Sequence, residues 1–119
     1  MTRPMKPSAV STHVLDTANG IPASGMPVEF WRMEPEPALL SQGTTNADGR
    51  LDAPLLAPGH FAPGRYELRF DVGAYFAARG NDPGYLGTVA INVGLREGEG
   101  HYHVPLLCSP WSYSTYRGS

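Results

Sequence analysis

The sequence predicts an all-β fold, an antiparallel β-sandwich of seven to eight strands with one short helix. The chain has 119 residues, enough for one domain with one hydrophobic core. Its 14 glycines and 12 prolines interrupt it at short intervals. Many segments between them alternate apolar and polar residues, and alternating segments roughly every ten positions are typical of a sandwich.

The first strand is predicted at residues 9–17, at the start of a single domain covering 9–119. We expect the lead-in, residues 1–8, to be disordered. Successive side chains on a strand point to opposite faces. One face therefore carries Val10, Thr12 and Val14, and the other carries Ser11, His13 and Leu15. Asn19-Gly20 predicts the turn that follows.

Two more strands are predicted at 26–33 and 39–45. They are separated by Glu-Pro-Glu-Pro at 34–37, because proline cannot donate to a strand ladder. Asp48-Gly49 is the strongest hairpin signal in the chain. We expect it to turn the chain into a fourth strand at 51–56.

Residues 65–72 alternate most regularly and predict a strand with one buried face. That face carries Tyr66, Leu68, Phe70 and Val72. The alanine-rich segment 73–79, followed by Gly80, predicts the short helix. The remaining predicted strands are 85–95 and two terminal runs on either side of Ser109-Pro110, the last of them an edge strand.

Composition limits the partners and the compartment. The net charge of −2 favours neither nucleic acid nor an anionic membrane as a partner. No apolar run approaches the roughly 18 residues of a membrane span, and the first residues lack the apolar stretch of a secretory signal. Cys108 is the only cysteine, so an internal disulfide is impossible. We therefore expect a cytoplasmic protein.

Histidines on polar strand faces form the first candidate site. His101 and His103 lie two residues apart on a predicted strand, so they point to the same side. His13 lies on the polar face of the first strand. These residues are either ordinary surface histidines or parts of one site in which His13 and His103 face each other. A third possibility is a zinc site made by the three, although no carboxylate or cysteine lies at a spacing typical of one.

Arg50 follows the predicted Asp48-Gly49 turn. It is either an exposed flank of that turn or a guanidinium held rigidly to bind a planar, oxygen-rich ligand. The serines near the C-terminus lie in no Gly-x-Ser-x-Gly nucleophile elbow. No phosphate-binding glycine loop is present.

Several segments resemble the transthyretin-like proteins, in the same order and over nearly all of residues 9–119. They are Ser11-Thr12-His13-Val14-Leu15-Asp16-Thr17, Thr45-Asn46-Ala47-Asp48-Gly49-Arg50, Pro63-Gly64-Arg65-Tyr66, His101-Tyr102-His103-Val104-Pro105-Leu106-Leu107 and the terminal Tyr116-Arg117-Gly118-Ser119. The terminal tetrapeptide is similar to that of the branch that hydrolyses 5-hydroxyisourate, whereas the hormone carriers of the same fold lack it. The sequence departs from the branch at 84–88, Cys108 and Trp111-Ser112, none of which is a matched site residue.

The resemblance implies a transthyretin-like sandwich that opens the lactam of 5-hydroxyisourate during urate degradation. The product would be 2-oxo-4-hydroxy-4-carboxy-5-ureidoimidazoline, formed by general acid/base chemistry with no metal and no cofactor. It also implies a homotetramer, a dimer of dimers, with sites in a channel between the dimers. The alternative is a non-enzymatic small-ligand carrier or interaction module of the transthyretin type, against which the bulky Tyr116 argues.

The same resemblance implies the site residues. His13, Arg50 and His103 would be catalytic, and His13, Arg50, Tyr116 and Ser119 would bind substrate. One histidine would be the general base on water, and the other would orient that water or protonate the leaving nitrogen. Arg50 would stabilise the developing negative charge, and Ser119 or its carboxylate would fix a histidine tautomer. Which histidine is the base does not follow from the sequence.

Overall fold

A computed structural model describes residues 9–56 and 62–118, which form two four-stranded sheets and one short helix. The predicted lead-in, residues 1–8, lies outside the described residues, as does Ser119. The elements in chain order are β1 (Ala9–Asp16), β2 (Ile21–Pro22), β3 (Pro27–Arg32), β4 (Ala38–Thr44), β5 (Gly64–Asp71), α1 (Val72–Ala77), β6 (Thr88–Leu95), β7 (His101–Cys108) and β8 (Tyr113–Thr115).

The strands form one sheet in the order β2-β1-β7-β8 and a second in the order β4-β3-β5-β6. The sandwich prediction is confirmed, but it was wrong in one respect, because β1 and β7 pair in parallel from Ala9↔His101 to Asp16↔Cys108. A short hairpin forces neighbouring strands to be antiparallel. β1 and β7 are far apart in the chain, so no such turn fixes their relative direction.

The core lies between the two sheets and is built from the inward faces of β1, β3 and β5. Val10 and Val14 of β1 are fully buried, as are Leu68 and Phe70 of β5. The predicted inward positions on β5 are therefore confirmed, and on β1 the face that carries Val10 and Val14 is the one that points to the core. Each fully buried apolar side chain of this size stabilises the fold by roughly 1.5–3 kcal/mol.

The helix α1 closes one end of the sandwich and lies within two residues of its predicted bounds. The Asp71 carboxylate accepts a hydrogen bond from the Ala74 N–H at 2.9 Å and caps the first turn. The buried Tyr75 hydroxyl donates to Asp16 Oδ2 at 2.8 Å. The helix is thereby tied to the last residue of β1. It is too short to span a membrane, and no other described helix could do so.

Two strand predictions were wrong, one about the existence of a strand and one about where a strand begins. Residues 51–56 are not a strand: the segment 50–56 runs along the edge of β1 and touches it through two isolated bridges, His13↔Arg50 and Val10↔Leu56. Asp48-Gly49 does turn the chain, but it delivers it to β1 rather than back along β4. The strand predicted at 85–95 begins only at Thr88, after an exposed Tyr85.

Candidate active site

The outer face of the first sheet, which points away from the core, gathers the polar residues of β1 and β7. In the parallel register Ser11 lies beside His103, and His13 lies beside Pro105. Alternation then places Ser11, His13, His101 and His103 on the same side of the sheet. With Arg50, which reaches the edge of β1, we call this set of five residues the histidine face.

The turn before Arg50 is held by its own side chains and by β1. Asn46 Oδ1 accepts from the N–H groups of Asp48 (2.9 Å) and Arg50 (3.1 Å). The Val14 N–H donates to the Gly49 carbonyl at 2.8 Å. These bonds place Arg50 directly beside His13, its bridge partner. The guanidinium therefore extends from a fixed point at the edge of the sheet.

The His13 ring has a defined proton position. Its Nε2 lies 2.9 Å from the Asp48 carbonyl oxygen. A carbonyl oxygen can only accept, so Nε2 must carry the hydrogen. In the neutral ring, Nδ1 is then the atom with the free lone pair.

His103 is packed between β1 and the C-terminal segment. The Gly118 N–H donates to the His103 carbonyl at 2.8 Å. A Cβ added at Gly118 would lie only 2.6 Å from His103 Cδ2. Any larger residue at 118 would thus displace the ring. Sequence reasoning gave Gly118 no role of its own, and only its place in the terminal tetrapeptide pointed to it.

Ser11 joins the two histidines of β7. Its Oγ lies 3.0 Å from His103 Nδ1 and 2.8 Å from His101 Nε2. The two rings lie 6.5 Å apart between centroids, with 22° between their planes. Sequence reasoning assigned Ser11 no function, although its position two residues before His13 put it on the same face. It considered His101 only as a surface residue or a metal ligand.

Burial and positive charge act together on His103. The ring is half-buried, and burial lowers its pKa below the ordinary value; the Arg50 guanidinium, His101 and His13 lower it further. The pKa is lowered because the charged imidazolium would be poorly solvated and would face the positive charge of Arg50. At neutral pH, His103 is therefore the unprotonated base that proton abstraction needs.

Tyr116 and Ser119 are the remaining predicted site residues. Tyr116 is 61% exposed and follows Thr115, whose hydroxyl donates to the Pro105 carbonyl at 2.7 Å. It borders a cavity of about 300 Å³ at the open edge of the sandwich, together with Ile91 and Tyr102. No described hydrogen bond joins its hydroxyl to His13, Arg50 or His103. Ser119 lies outside the described residues.

The described residues bring three predicted site residues, His13, Arg50 and His103, to one polar surface. Across 9–56 and 62–118, no group of three or more His, Cys, Asp or Glu side chains has the arrangement of a metal site. The histidine face offers a neutral imidazole, a second imidazole of fixed tautomer and a guanidinium. That combination can take up a proton and stabilise an oxyanion.

Comparison with known sequences places this geometry in context. Residues 10–118 match the family described as the HIUase/Transthyretin family. The 5-hydroxyisourate hydrolase of Pseudomonas aeruginosa is 46% identical, over 98% of this chain and 96% of the relative. The enzyme of the same name from Halalkalibacterium halodurans is 50% identical, over 92% and 97%.

Solved structures show the same architecture. (S)-Allantoin synthase superposes with a TM-score of 0.89 at 41% identity, covering all of this chain and 46% of that one. Klebsiella pneumoniae 5-hydroxyisourate hydrolase gives 0.80 at 40% identity, over 94% and 99%. Sea bream transthyretin in complex with thyroxine gives 0.84 at 26% identity, over 92% and 94%.

Proposed function

The chain belongs to the HIUase/Transthyretin family, and from that premise we propose that it hydrolyses 5-hydroxyisourate in urate degradation. The observation that carries the proposal is the histidine face, where Arg50 and His103 stand with His13 on one rigid sheet. Relatives 46% and 50% identical over nearly the whole chain carry the name of this enzyme. The product is 2-oxo-4-hydroxy-4-carboxy-5-ureidoimidazoline.

Opening a lactam with water requires a base, a stabiliser of the oxyanion and a proton for the leaving nitrogen. We assign the base to His103, because its pKa is lowered and its Nδ1 is engaged by Ser11. Its Nε2 is then the ring atom available to water. This choice between the two histidines comes from their environments, which the sequence did not contain.

The other two residues supply binding and charge. Arg50 presents donors to the substrate oxygens and stabilises the negative charge that develops when water attacks. His13 uses Nε2 to bond the Asp48 carbonyl. Its Nδ1 carries the free lone pair, so it can accept a hydrogen bond from the attacking water and orient it. The proton that His103 takes from this water is then the one available to the leaving nitrogen. Tyr116 and Ser119 remain proposed substrate contacts.

The test is a direct assay of the purified chain. Urate and urate oxidase generate 5-hydroxyisourate in the cuvette, and its absorbance is followed with and without the protein. We expect decay faster than the spontaneous rate, and a loss of about 10²–10⁴ in kcat for His103→Ala. Decay at the spontaneous rate with wild-type protein would reject the function; near-wild-type kcat in His103→Ala would reject the assignment of the base.

We also propose the homotetramer, because large apolar side chains are exposed at one end of the sheet that carries the histidine face. Ile21 is 47% exposed and Trp111 is 67% exposed. Both lie at the end of the first sheet where β1 and β7 finish, since Thr17 N–H donates to the Cys108 carbonyl there. Covering them with other copies of the chain would remove this apolar surface from water. Light scattering coupled to size exclusion should give four times the chain mass; a monomer that retains full activity would contradict this.

Small-ligand carriage is the second candidate function, favoured by the superposition on transthyretin with thyroxine. The polar histidine face, with the Arg50 guanidinium at its edge, argues for a small polar ligand instead. Calorimetric titration with thyroxine separates the two. Tight binding together with no hydrolysis would favour the carrier.

The cytoplasm is the compartment we propose. Cys108 is a free, buried thiol among the described residues, which suits a reducing environment. Fractionation of the source cells with an antibody against the protein tests it, and recovery in a secreted or periplasmic fraction would contradict it.

A further inference from the structure

Two members of the histidine face have no role in the proposed reaction. Ser11 Oγ lies between His103 Nδ1 at 3.0 Å and His101 Nε2 at 2.8 Å. His101 is exposed, whereas His103 is half-buried. The Ser11 hydroxyl thus connects the proposed base to an exposed histidine, and the proposed reaction does not explain this connection.

The Ser11 hydroxyl has one hydrogen to donate and two lone pairs with which to accept, and this restricts the pair of rings. Ser11 can donate to only one of the two ring nitrogens. At least one of the two facing nitrogens, His101 Nε2 or His103 Nδ1, therefore carries a hydrogen when both bonds are made. The proton positions of the two rings are thus coupled through Ser11.

We propose that Ser11 and His101 are positioning residues that hold His103 in the tautomer with its hydrogen on Nδ1. In this arrangement His103 donates to Ser11, and Ser11 donates to the bare Nε2 of neutral His101. His103 Nε2 is left with a free lone pair for water. The inference rests on the proposed function, because it explains how the base of that reaction is kept ready.

Without the bridge the ring would adopt the wrong tautomer. A neutral imidazole in solution favours the hydrogen on Nε2, which would cover the lone pair that abstracts the proton. The Ser11 bond reverses this preference by giving Nδ1–H an acceptor. A fixed tautomer set by the partner of the other ring nitrogen is a general property of functional histidines.

The same geometry predicts a response to acid. Protonated His101 carries hydrogens on both nitrogens, so its Nε2–H donates to Ser11. The Ser11 hydrogen is then free to turn to His103 Nδ1, which stabilises the tautomer of neutral His103 with its hydrogen on Nε2. Protonating the exposed histidine thereby removes the preference that keeps the lone pair on His103 Nε2, without moving any heavy atom.

The other charges near His103 act on it independently of this bridge. Arg50 and His13 face it from the edge and the middle of the sheet, and both act on its pKa. Arg117, on the C-terminal segment, lies over the Tyr102 ring at 4.4 Å and 3.8 Å from Glu99. A variant at Ser11 leaves all of these charges in place.

The first experiment compares Ser11→Ala with Ser11→Thr. We expect Ser11→Ala to lower kcat about tenfold, the effect of one lost hydrogen bond, with KM unchanged. Ser11→Thr keeps a hydroxyl on a strand and should recover most of the loss. Ser24→Ala, between β2 and β3, is the matched control and should leave kcat unchanged. Equal kcat in Ser11→Ala and wild type would overturn the inference, as would a loss that Ser11→Thr does not recover.

The second experiment uses His101→Asn, whose side-chain oxygen can accept from Ser11 but cannot take up a proton. The ratio of kcat at pH 8 to kcat at pH 6 should be several-fold smaller in this variant than in wild type. An unchanged ratio would mean that His101 does not control the base.

A third measurement does not depend on catalysis. Nitrogen-15 spectra of the imidazoles report which ring nitrogen is protonated, in protein without substrate. We expect Nδ1–H for His103 in wild type at pH 8 and Nε2–H in Ser11→Ala. Nε2–H in wild type would overturn the inference even with an active enzyme, whereas Nδ1–H in an inactive one would reject only the hydrolase function.

Discussion

Single residues set the chemistry of the histidine face. His103 has a lowered pKa because burial and neighbouring positive charge disfavour its charged form, with the Arg50 guanidinium the largest contributor after burial. His13 has its hydrogen on Nε2 because a carbonyl faces that atom. The two imidazoles on one surface therefore stand in different environments, which is the condition for giving them different roles.

Gly118 gives the sharpest test at this scale. Alanine there would place its Cβ 2.6 Å from His103 Cδ2 and displace the ring from the position in which it bonds Ser11. A displacement near 1 Å in a catalytic group can cost about 10² in rate, so we expect kcat/KM of Gly118→Ala to fall by about that factor.

Gly87→Ala is the control for that variant, since a Cβ at Gly87 meets nothing within 4 Å. It should retain its kcat/KM and its melting temperature. Full activity in Gly118→Ala would show that the ring position is not critical.

Asp16 links single residues to acid stability. The carboxylate is 1% exposed and accepts from Asn19 N–H at 3.0 Å, Asn19 Nδ2 at 2.8 Å and the Tyr75 hydroxyl at 2.8 Å. Burial alone would raise the pKa of Asp16, but these bonds outweigh it and hold the pKa below 3.8. The same pairing and burial raise the pKa of Tyr75 to about 12.

The sign of the pH effect follows from that depressed pKa. The stabilisation is fully present above the ordinary pKa of 3.8 and is lost as the pH falls through the lower folded value. We expect Asp16→Asn to lower the free energy of unfolding by about 1–3 kcal/mol at pH 7 and by less near pH 3.

Urea denaturation at the two pH values measures this difference. Asp82→Asn, an exposed carboxylate in the loop before β6, serves as the matched control and should change little at either pH. An equal loss at pH 7 and pH 3 for Asp16→Asn would argue against the charge-linked contribution.

At the scale of elements, the turn at Asp48-Gly49 decides where the guanidinium stands. Gly49 has φ of +77°, and a Cβ there would lie 2.3 Å from the Val14 carbonyl oxygen. Only glycine lets this turn pack against β1. The turn thereby carries Arg50 to the edge of the sheet that holds His13.

Gly49→Ala should therefore both destabilise the protein and weaken catalysis. The positive φ alone costs about 1–3 kcal/mol, and the contact with β1 adds to it. Gly20→Ala separates the two effects, because Gly20 has φ of +68° but nothing within 4 Å of a Cβ. We expect a larger drop in unfolding free energy and in kcat/KM for Gly49→Ala; equal effects would show that the packing contact is unimportant.

At the scale of the whole molecule, the sandwich uses its two faces differently. The inward faces of both sheets form the dry core, and the outward face of the first sheet carries the polar groups. Parallel pairing of β1 with β7 puts Ser11 beside His103. The rigid sheet thus supplies the positioning that catalysis requires.

Metal removal tests whether this set of side chains acts alone. Because the proposed steps use only imidazoles and a guanidinium, dialysis against a chelator should leave kcat/KM unchanged within about twofold, well short of the 10²–10⁴ that one general base contributes. If the chelator abolished activity and added zinc restored it, the result would instead favour the hypothesis that His13, His101 and His103 hold a metal.

Local pattern was enough for the features that depend on neighbouring residues. The alternation in 9–17 separated the two faces of the first strand, the alternation in 65–72 identified which side chains face the core, and the alanine-rich segment before Gly80 identified the helix. These succeeded because side-chain direction in a strand repeats every two residues wherever the strand lies.

The sequence by itself determined the strand faces, the short helix, the lone thiol and, through its resemblance, the family. Only the tertiary structure decided the parallel β1–β7 pair, the path of residues 51–56 along β1, the bridge from Ser11 to two histidines and the contact of Gly118 with His103. Those features join residues up to about a hundred positions apart. Their geometry depends on register and strand direction, which the packing of the whole core selects and no local pattern encodes.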